Sequence, residues 1–268
     1  MKKRIKKAIS KIIPKGKLKE RIKIVYYNFM KPKGVSYAIS FQDNECIHKT
    51  SFSEMTIFSK DAIYPILDDF KYYQHFYTVK HNDIVLDAGA NAGILSIYFS
   101  RNIGQYGKVY SFEPDDINVN LIEENMQLNK DLHNNIEICK LLLWNKNELV
   151  NFEEAGTEGS SAVLFSGTNN AVKKQAVTID SWVKDKKIDK LNFIKMDIEG
   201  AEIEALEGCV ETMKTLNPNF AIASYHIVNN EPTYIALEKF FSKMDYPYKT
   251  ITFRKNEIIT FAGPSILN

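Results

Sequence analysis

Four short apolar runs in this sequence end on groups that can hold a ligand or move a proton. Asp87 follows I-V-L, Glu113 follows K-V-Y-S-F, Asp197 follows F-I-K-M, and Tyr225 with His226 follows F-A-I-A-S. Runs of this length and β-branched content read as strands buried on both faces of a parallel sheet. An open α/β sheet assembles its site at the carboxyl ends of such strands. Lys195 stands two residues before Asp197, so both side chains share one face of their strand. Glu199 and Glu202 are three apart, which predicts one face of the following helix. His226, with an ordinary value of about 6.5, is matched to base work at neutral pH. Asp197, His226, Lys195, Glu199 and Glu202 form the candidate catalytic set, suited to taking a proton from a hydroxyl. The plainer alternatives are a Lys195–Asp197 ion pair, a helix start charged by Glu202 and Glu204, and a hydrogen-bonded loop histidine.

The first of these runs leads into a turn of small residues, Asp87-Ala88-Gly89-Ala90-Asn91-Ala92-Gly93, followed by a helix beginning I-L-S-I-Y-F-S. Strand, small turn and helix N-terminus let backbone N–H groups approach a ligand closely. Glu113 lies twenty residues beyond Gly93 at the end of the next strand, where an acid can accept both ribose hydroxyls of an adenosine. A dinucleotide fingerprint G-x-G-x-x-G begun at Gly89 would need glycines where Asn91 and Ile94 stand. That argues against a pyrophosphate on this turn and against an oxidoreductase. S-adenosylmethionine carries a sulfonium, an amino group and a carboxylate but no phosphate, and Asp87 with backbone groups suits that mixture better.

The elements that must position these residues alternate strand and helix. Strands are expected at 84–86, 108–112, 135–143, 192–196 and 220–224, with extra strands at 148–153 and 174–179. Helices are expected at 61–77, 94–100, 115–129, 198–208 and 231–241. Residues 248–253 and 257–261 read as a terminal antiparallel hairpin. The fold class is α/β: a doubly wound, mostly parallel Rossmann-like sheet, whose hairpin marks the class I methyltransferase version. Aromatic residues Tyr64, Phe70, Tyr73 and Phe76 precede the first core strand, to pack on the sheet or to roof a ligand. Three parts are expected: a basic amphipathic helical extension over 1–34, a β/helix lead-in over 35–80, and the cofactor-binding domain over 81–268.

At 44% hydrophobic and 25% charged residues, the composition is that of a globular chain able to bury a full core. The net charge of +2 hides an asymmetry, because residues 1–34 hold thirteen Lys/Arg and a single acid, Glu20. Ile5, Ile9, Ile12 and Ile13 form an apolar stripe among lysines, in a helix pair broken near Pro14 and Gly16. Residues 1–23 are therefore expected to meet an anionic membrane surface peripherally or to pack on the body. Nucleic acid is disfavoured because no aromatic residues interleave the basic ones. No run of about 18 apolar residues is present, so no membrane span is expected. Cys46, Cys139 and Cys209 are too few and scattered for a disulfide framework or a zinc site, which favours a reducing, cytoplasmic setting.

Taken together, I-V-L-D-A-G-A-N-A-G, S-F-E-P-D, V-T-I-D-S-W, F-I-K-M-D-I-E-G-A-E-I-E-A-L-E-G and P-N-F-A-I-A-S-Y-H, spread over residues 82–226, resemble the FkbM-type family of S-adenosylmethionine-dependent methyltransferases. The resemblance implies an O-methyltransferase acting on hydroxyls of sugars, glycolipids or polyketides. It implies that Asp87, Gly89, Asn91 and Gly93, with Ala90, hold the methionine part of the cofactor. Glu113, with Pro114, would take the ribose, and Leu142 to Trp144, including Leu143, would lie near adenine. One departure stands out: Ser224 occupies the position, two before the histidine, where the family often has an acid. A divalent cation shared with His226 is accordingly not favoured. An N-P-P-Y signature of amino-group methyltransferases is absent where M-D-I-E stands, which favours a hydroxyl acceptor, here a sugar in a glycan or glycolipid. The competing expectations are an RNA or protein methyltransferase tethered by its basic N-terminus, and a non-catalytic adenosine-binding scaffold.

Overall fold

The computed structural model describes residues 16–42, 45–52, 55–64, 67–130, 135–154, 156, 161–163, 171–254 and 257–267. The chain divides into two units, residues 1–66 and 67–268. In the smaller unit, helix α1 (Lys17–Met30) precedes an antiparallel meander of β1 (Val35–Gln42), β2 (Glu45–Phe52) and β3 (Met55–Ser59). The buried Tyr27 fixes α1 by stacking on Tyr64 at 4.7 Å. The Asn28 amide donates to the Tyr37 carbonyl and accepts from its N–H.

The larger unit begins with α2 (Asp69–Tyr72), β4 (Ile84–Ala88), α3 (Ile94–Ile103), β5 (Lys108–Phe112), α4 (Asp116–Leu128) and β6 (Ile136–Cys139). A side sheet follows, built of β7 (Leu142–Leu143), β8 (Glu148–Glu153) and β9 (Ala171–Val177) in the order β7-β9-β8. After α5 (Ile179–Asp185) come β10 (Phe193–Met196), α6 (Glu202–Glu207), α7 (Val210–Leu216) and β11 (Asn219–Ala223). A two-stranded ribbon of β12 (Ile227–Val228) and β13 (Glu231–Pro232) leads to α8 (Thr233–Lys243) and the hairpin β14 (Tyr248–Arg254) and β15 (Glu257–Ala262).

The central sheet has the order β14-β15-β11-β10-β4-β5-β6. Its strands from β11 to β6 run parallel, and β15 and β14 add on antiparallel. Strand order reverses between β4 and β10, and a crevice outside the carboxyl ends of the strands opens at such a switch point. Every residue of β10 and β11 is buried, as double coverage of a parallel sheet requires. Leu86, Phe112, Ile194, Met196 and Phe220 form the core with Trp182, Leu206 and Phe241.

Several expectations on elements are corrected. Residues 67–80 join the sheet unit, because Phe70 stacks on Tyr98 at 4.5 Å and Tyr77 on Phe193 at 5.6 Å. Among the described residues, the helix expected over 61–77 shrinks to Asp69–Tyr72. The long third strand splits at Lys140–Leu141 into β6 and β7, which belong to different sheets. The helix from Ile198 starts only at Glu202, because Glu199 (φ 53) and Gly200 (φ 96) turn the chain first. The end of the strand expected at 174–179 is the start of α5, where the Thr178 side chain caps the Ser181 N–H. Of the expected extension, α1 runs past residue 23 to Met30, while Ile5, Ile9, Ile12 and Ile13 lie outside the described residues.

Trp182 sits edge-on to Tyr110 and Phe112 at 4.7 and 4.9 Å. Its buried indole N–H has no acceptor among the described residues. Trp182→Phe keeps an aromatic ring and removes that donor but leaves part of the indole volume empty, so it should cost about 1–3 kcal/mol, whereas Trp182→Ala should cost about 3–5 kcal/mol. Urea unfolding of the two variants measures both.

Candidate active site

At the switch point, β4 and β10 are in register with Asp87 opposite Lys195 and Ala88 opposite Met196. Both charged side chains are buried, with Lys195 Nζ 3.2 Å from Asp87 Oδ1. The ammonium also donates to the carbonyls of Gly89 (2.7 Å) and Ala88 (3.2 Å) and stands 5.6 Å over the Tyr73 ring. The other Asp87 oxygen accepts from Ser96 on α3, whose hydroxyl in turn accepts from Ser111 on β5. A short relay of polar groups therefore anchors the strand end through three neighbours. The Lys195–Asp197 pair expected from strand spacing does not form, because Asp87 takes the lysine.

The turn after Asp87 folds tightly over the ends of its neighbours. Gly89 and Ala90 N–H both donate to the Phe112 carbonyl. Gly89 has φ 73, and a Cβ there would lie 1.8 Å from the Asp197 carbonyl oxygen. Glycine is thus required both by the positive φ and by the close approach of the two strand ends. Asn91 also takes a left-handed conformation, φ 50, which asparagine tolerates better than most residues. Its N–H donates to Glu113 Oε2 at 2.8 Å. Gly93 ends the turn at φ 73, with Ile122 of α4 where a Cβ would project.

Glu113 is buried at the end of β5, and Pro114 and Asp115 carry the chain into α4. Its Oε1 accepts from the Asp115 N–H at 3.0 Å, and Asp115 caps α4 by accepting from Ile117 and Asn118. Burial pushes the Glu113 carboxyl up to about 7, against the pull of the backbone N–H groups of Asp115 and Asn91 and of the Asn118 side chain. A carboxylate has about four acceptor positions, so these three bonds leave about one for a further donor. Leu143 lies in the core beside Phe112 and Cys139. Trp144 packs with the side-sheet cluster of Leu142, Phe152 and Ala176.

A second cluster gathers around His226, at the end of β11. Its Nδ1 is 3.1 Å from Glu202 Oε1, and its Nε2 is 3.6 Å from Asp197 Oδ1 and 3.5 Å from Glu199 Oε2. Glu202 is fully buried and also accepts from the N–H groups of Ile198 and Gly200. Asp197 and Glu199 are 27% and 26% exposed, so these two carboxylates are the ones solvent reaches. The helical-face argument for Glu199 and Glu202 fails, since Glu199 is in the turn, yet both reach the same imidazole from opposite sides. Burial alone would lower the His226 value. The bond to Glu202 and the charges of Glu202, Asp197 and Glu199 overcome it and lift the imidazole to about 9. The ordinary value that recommends His226 as a base is therefore absent here, and the ring is a cation at neutral pH.

Two contacts have no warning in the strand-end pattern. The Tyr73 hydroxyl donates to Asp197 Oδ2 at 3.0 Å, and its own ionisation is suppressed by burial and by that carboxylate. Only the concentration of aromatic residues before the first core strand hints at it. The Ser224 hydroxyl donates to the Ile258 carbonyl and accepts from Thr260. It is turned into the sheet and offers nothing to a cation beside His226.

The Methyltransferase FkbM domain family matches residues 87–248, a span that holds the strand-end turn, Glu113 and the cluster around His226. The chain belongs to the FkbM methyltransferase family. It is an S-adenosylmethionine-dependent methyltransferase on the class I fold. Among curated proteins it is similar to "Methyltransferase sdnD" of Sordaria araneosa, 25% identical over an alignment of 231 residues that covers 75% of this chain and 82% of that one. Among crystal structures it is similar to the methyltransferase FkbM of Methylobacillus flagellatus, with a TM-score of 0.53 and 20% identity. That match covers 70% of this chain and 45% of the other, so this chain spans less than half of that protein. A SAM-dependent methyltransferase of Aquifex aeolicus aligns over 74% of this chain and 93% of its own, at 17% identity and a TM-score of 0.44.

The raised His226 value has a sign that can be checked. Its folded value of about 9 exceeds the unfolded value of about 6.5, so its stabilisation is complete below pH 6.5 and is lost as pH rises through about 9. The gap in unfolding free energy between wild type and His226→Gln should therefore shrink from pH 6 to pH 9.5. Denaturant titrations across that range measure it, and a constant gap would contradict the carboxylate-stabilised imidazolium.

Proposed function

We propose that this FkbM-family enzyme methylates a hydroxyl of a sugar in a glycan or glycolipid. The observation that carries the reading is the pair of partly exposed carboxylates, Asp197 and Glu199, held at the site by a cationic His226. Carboxylates accept hydrogen bonds from hydroxyl groups, and their negative charge disfavours a phosphate-rich polymer. The M-D-I-E segment at this strand end, in place of an N-P-P-Y signature, supports oxygen over nitrogen as the acceptor.

In this reading S-adenosylmethionine supplies the methyl group from its sulfonium. Glu113 would take the ribose, while Gly89, Ala90, Asn91 and Gly93 would hold the methionine part, and Asp87, buried between Lys195 and Ser96, would shape the turn that does so. Lys195 is a positioning residue, since its ammonium is engaged by Asp87 and two carbonyls. Asp197 accepts the proton of the attacking hydroxyl, and Tyr73 and His226 orient its carboxylate. Such a base contributes about 10²–10⁴-fold, and correct placement of the acceptor contributes more. Glu199 binds a neighbouring hydroxyl, and Glu202 holds His226. With Ser224 turned away, the residues present do not favour a divalent cation.

Two outcomes test the reading. Ribose hydroxyls favour ionised Glu113, so affinity for the demethylated cofactor should hold above pH 7 and weaken below it, by up to about tenfold per unit. Glu113→Gln should bind more weakly at pH 8 and lose this pH dependence; calorimetry on both proteins decides. Asp197→Asn should keep cofactor affinity within about threefold and lower methyl transfer to a sugar acceptor by about 10²–10⁴-fold. Transfer of labelled methyl to RNA or protein, with none to any saccharide or glycolipid, would overturn the choice of acceptor.

A further inference from the structure

The helix α1 is built inside out. Leu18, Ile22, Val25 and Phe29 stand at i, i+4, i+7 and i+11, an arc of about 60° at 100° per residue. They are 67%, 40%, 71% and 84% exposed. Tyr26 extends the stripe on one flank and is also exposed. The face turned to the meander carries Glu20, Lys23, Tyr27 and Asn28 instead. Glu20 meets Lys23 at 2.6 Å, with His48 3.8 Å away on the other side, and Asn28 is bonded to the backbone of β1. A helix that satisfies its polar groups inward and leaves four large apolar side chains outward in one row is not stabilised by that row. Contiguous exposed apolar surface of this kind marks an interaction site.

We propose that the Leu18–Ile22–Val25–Phe29 face of α1 docks on an anionic membrane surface. Charge selects this occupant. Lys17 and Arg21 flank the stripe on one side and Lys19 on the other, Lys31 and Lys33 follow the helix, and residues 1–15 add seven more basic residues. The single acid, Glu20, points inward and is already paired. Each basic residue near an anionic leaflet adds about 1 kcal/mol of attraction, while the same charges repel a second copy brought face to face. The helix has 14 residues, about 21 Å, too short to span a bilayer and suited to lying in its interface. No helix of the described residues is long and apolar enough to cross a membrane. The stripe is distinct from the isoleucines of residues 5–13, and the proposal stands independently of the sugar acceptor.

The test is sedimentation of the full chain with phosphatidylglycerol–phosphatidylcholine vesicles and with phosphatidylcholine alone. Wild type should bind the anionic vesicles, release with rising salt, and bind the neutral ones at least tenfold more weakly. Val25→Glu/Phe29→Glu should lose at least tenfold in binding while its thermal unfolding is unchanged, because both side chains are exposed. Phe29→Trp should shift its emission to the blue on anionic vesicles and be quenched by brominated acyl chains. Wild type remaining in the supernatant would overturn the proposal, as would equal binding by the double glutamate variant. So would a dimer, seen by light scattering, that the glutamates dissolve in the absence of any vesicle binding.

Discussion

The buried ion pair between Lys195 and Asp87 is the constraint around which the site is arranged. Two full charges at the centre of a parallel sheet carry a desolvation penalty, and the loss of either partner strands the other at a cost of about 3–5 kcal/mol. The structure meets that penalty with hydrogen bonds: Ser96 on the carboxylate, and two carbonyls on the ammonium. The same bonds set the shape of the ligand turn, because the lysine grips the carbonyls of Ala88 and Gly89 as the chain leaves β4. The strand pair joined by this ion pair is also the pair at which the strand order reverses.

From that centre the site divides into two electrostatic environments. On the β5 side, Glu113 is isolated from cations, and burial raises it until its charge depends on what binds there. On the β11 side, three carboxylates converge on one imidazole and hold its proton. In the first environment, a hydrogen-bond donor brought to the carboxyl would favour its ionised form. The second presents fixed negative charge at the mouth of the site, with the neutralising cation behind it.

Much of this is legible in the sequence because strand ends are written plainly. The apolar runs before Asp87, Glu113 and Asp197 place those residues at one edge of a sheet, and Asn91 with Ile94 excludes a dinucleotide turn. What local patterns miss depends on contacts distant in the chain. The spacing of Lys195 and Asp197 suggests a pair, but register across strands assigns the lysine to Asp87, 108 residues away. The helical spacing of Glu199 and Glu202 is misleading because Gly200 and the positive φ of Glu199 delay the helix, while the imidazole between them restores the convergence. Tyr73 reaches Asp197 across 124 residues, and no periodicity encodes that. The break of the third strand at Lys140–Leu141 is equally silent, since both pieces are apolar and differ only in which sheet receives them.

The contact between Gly89 and the Asp197 carbonyl bears on how such an enzyme can diversify. With no room for even a methyl group between them, the turn after β4 and the peptide bearing Asp197 form one rigid body. A side chain introduced at residue 89 would displace the Asp197 peptide, so a substitution there disturbs both halves together. The outer side chains and the connections beyond the strand ends are where changes leave that contact untouched. The absence of one side chain at residue 89 thereby gives two segments more than a hundred residues apart a single shared tolerance.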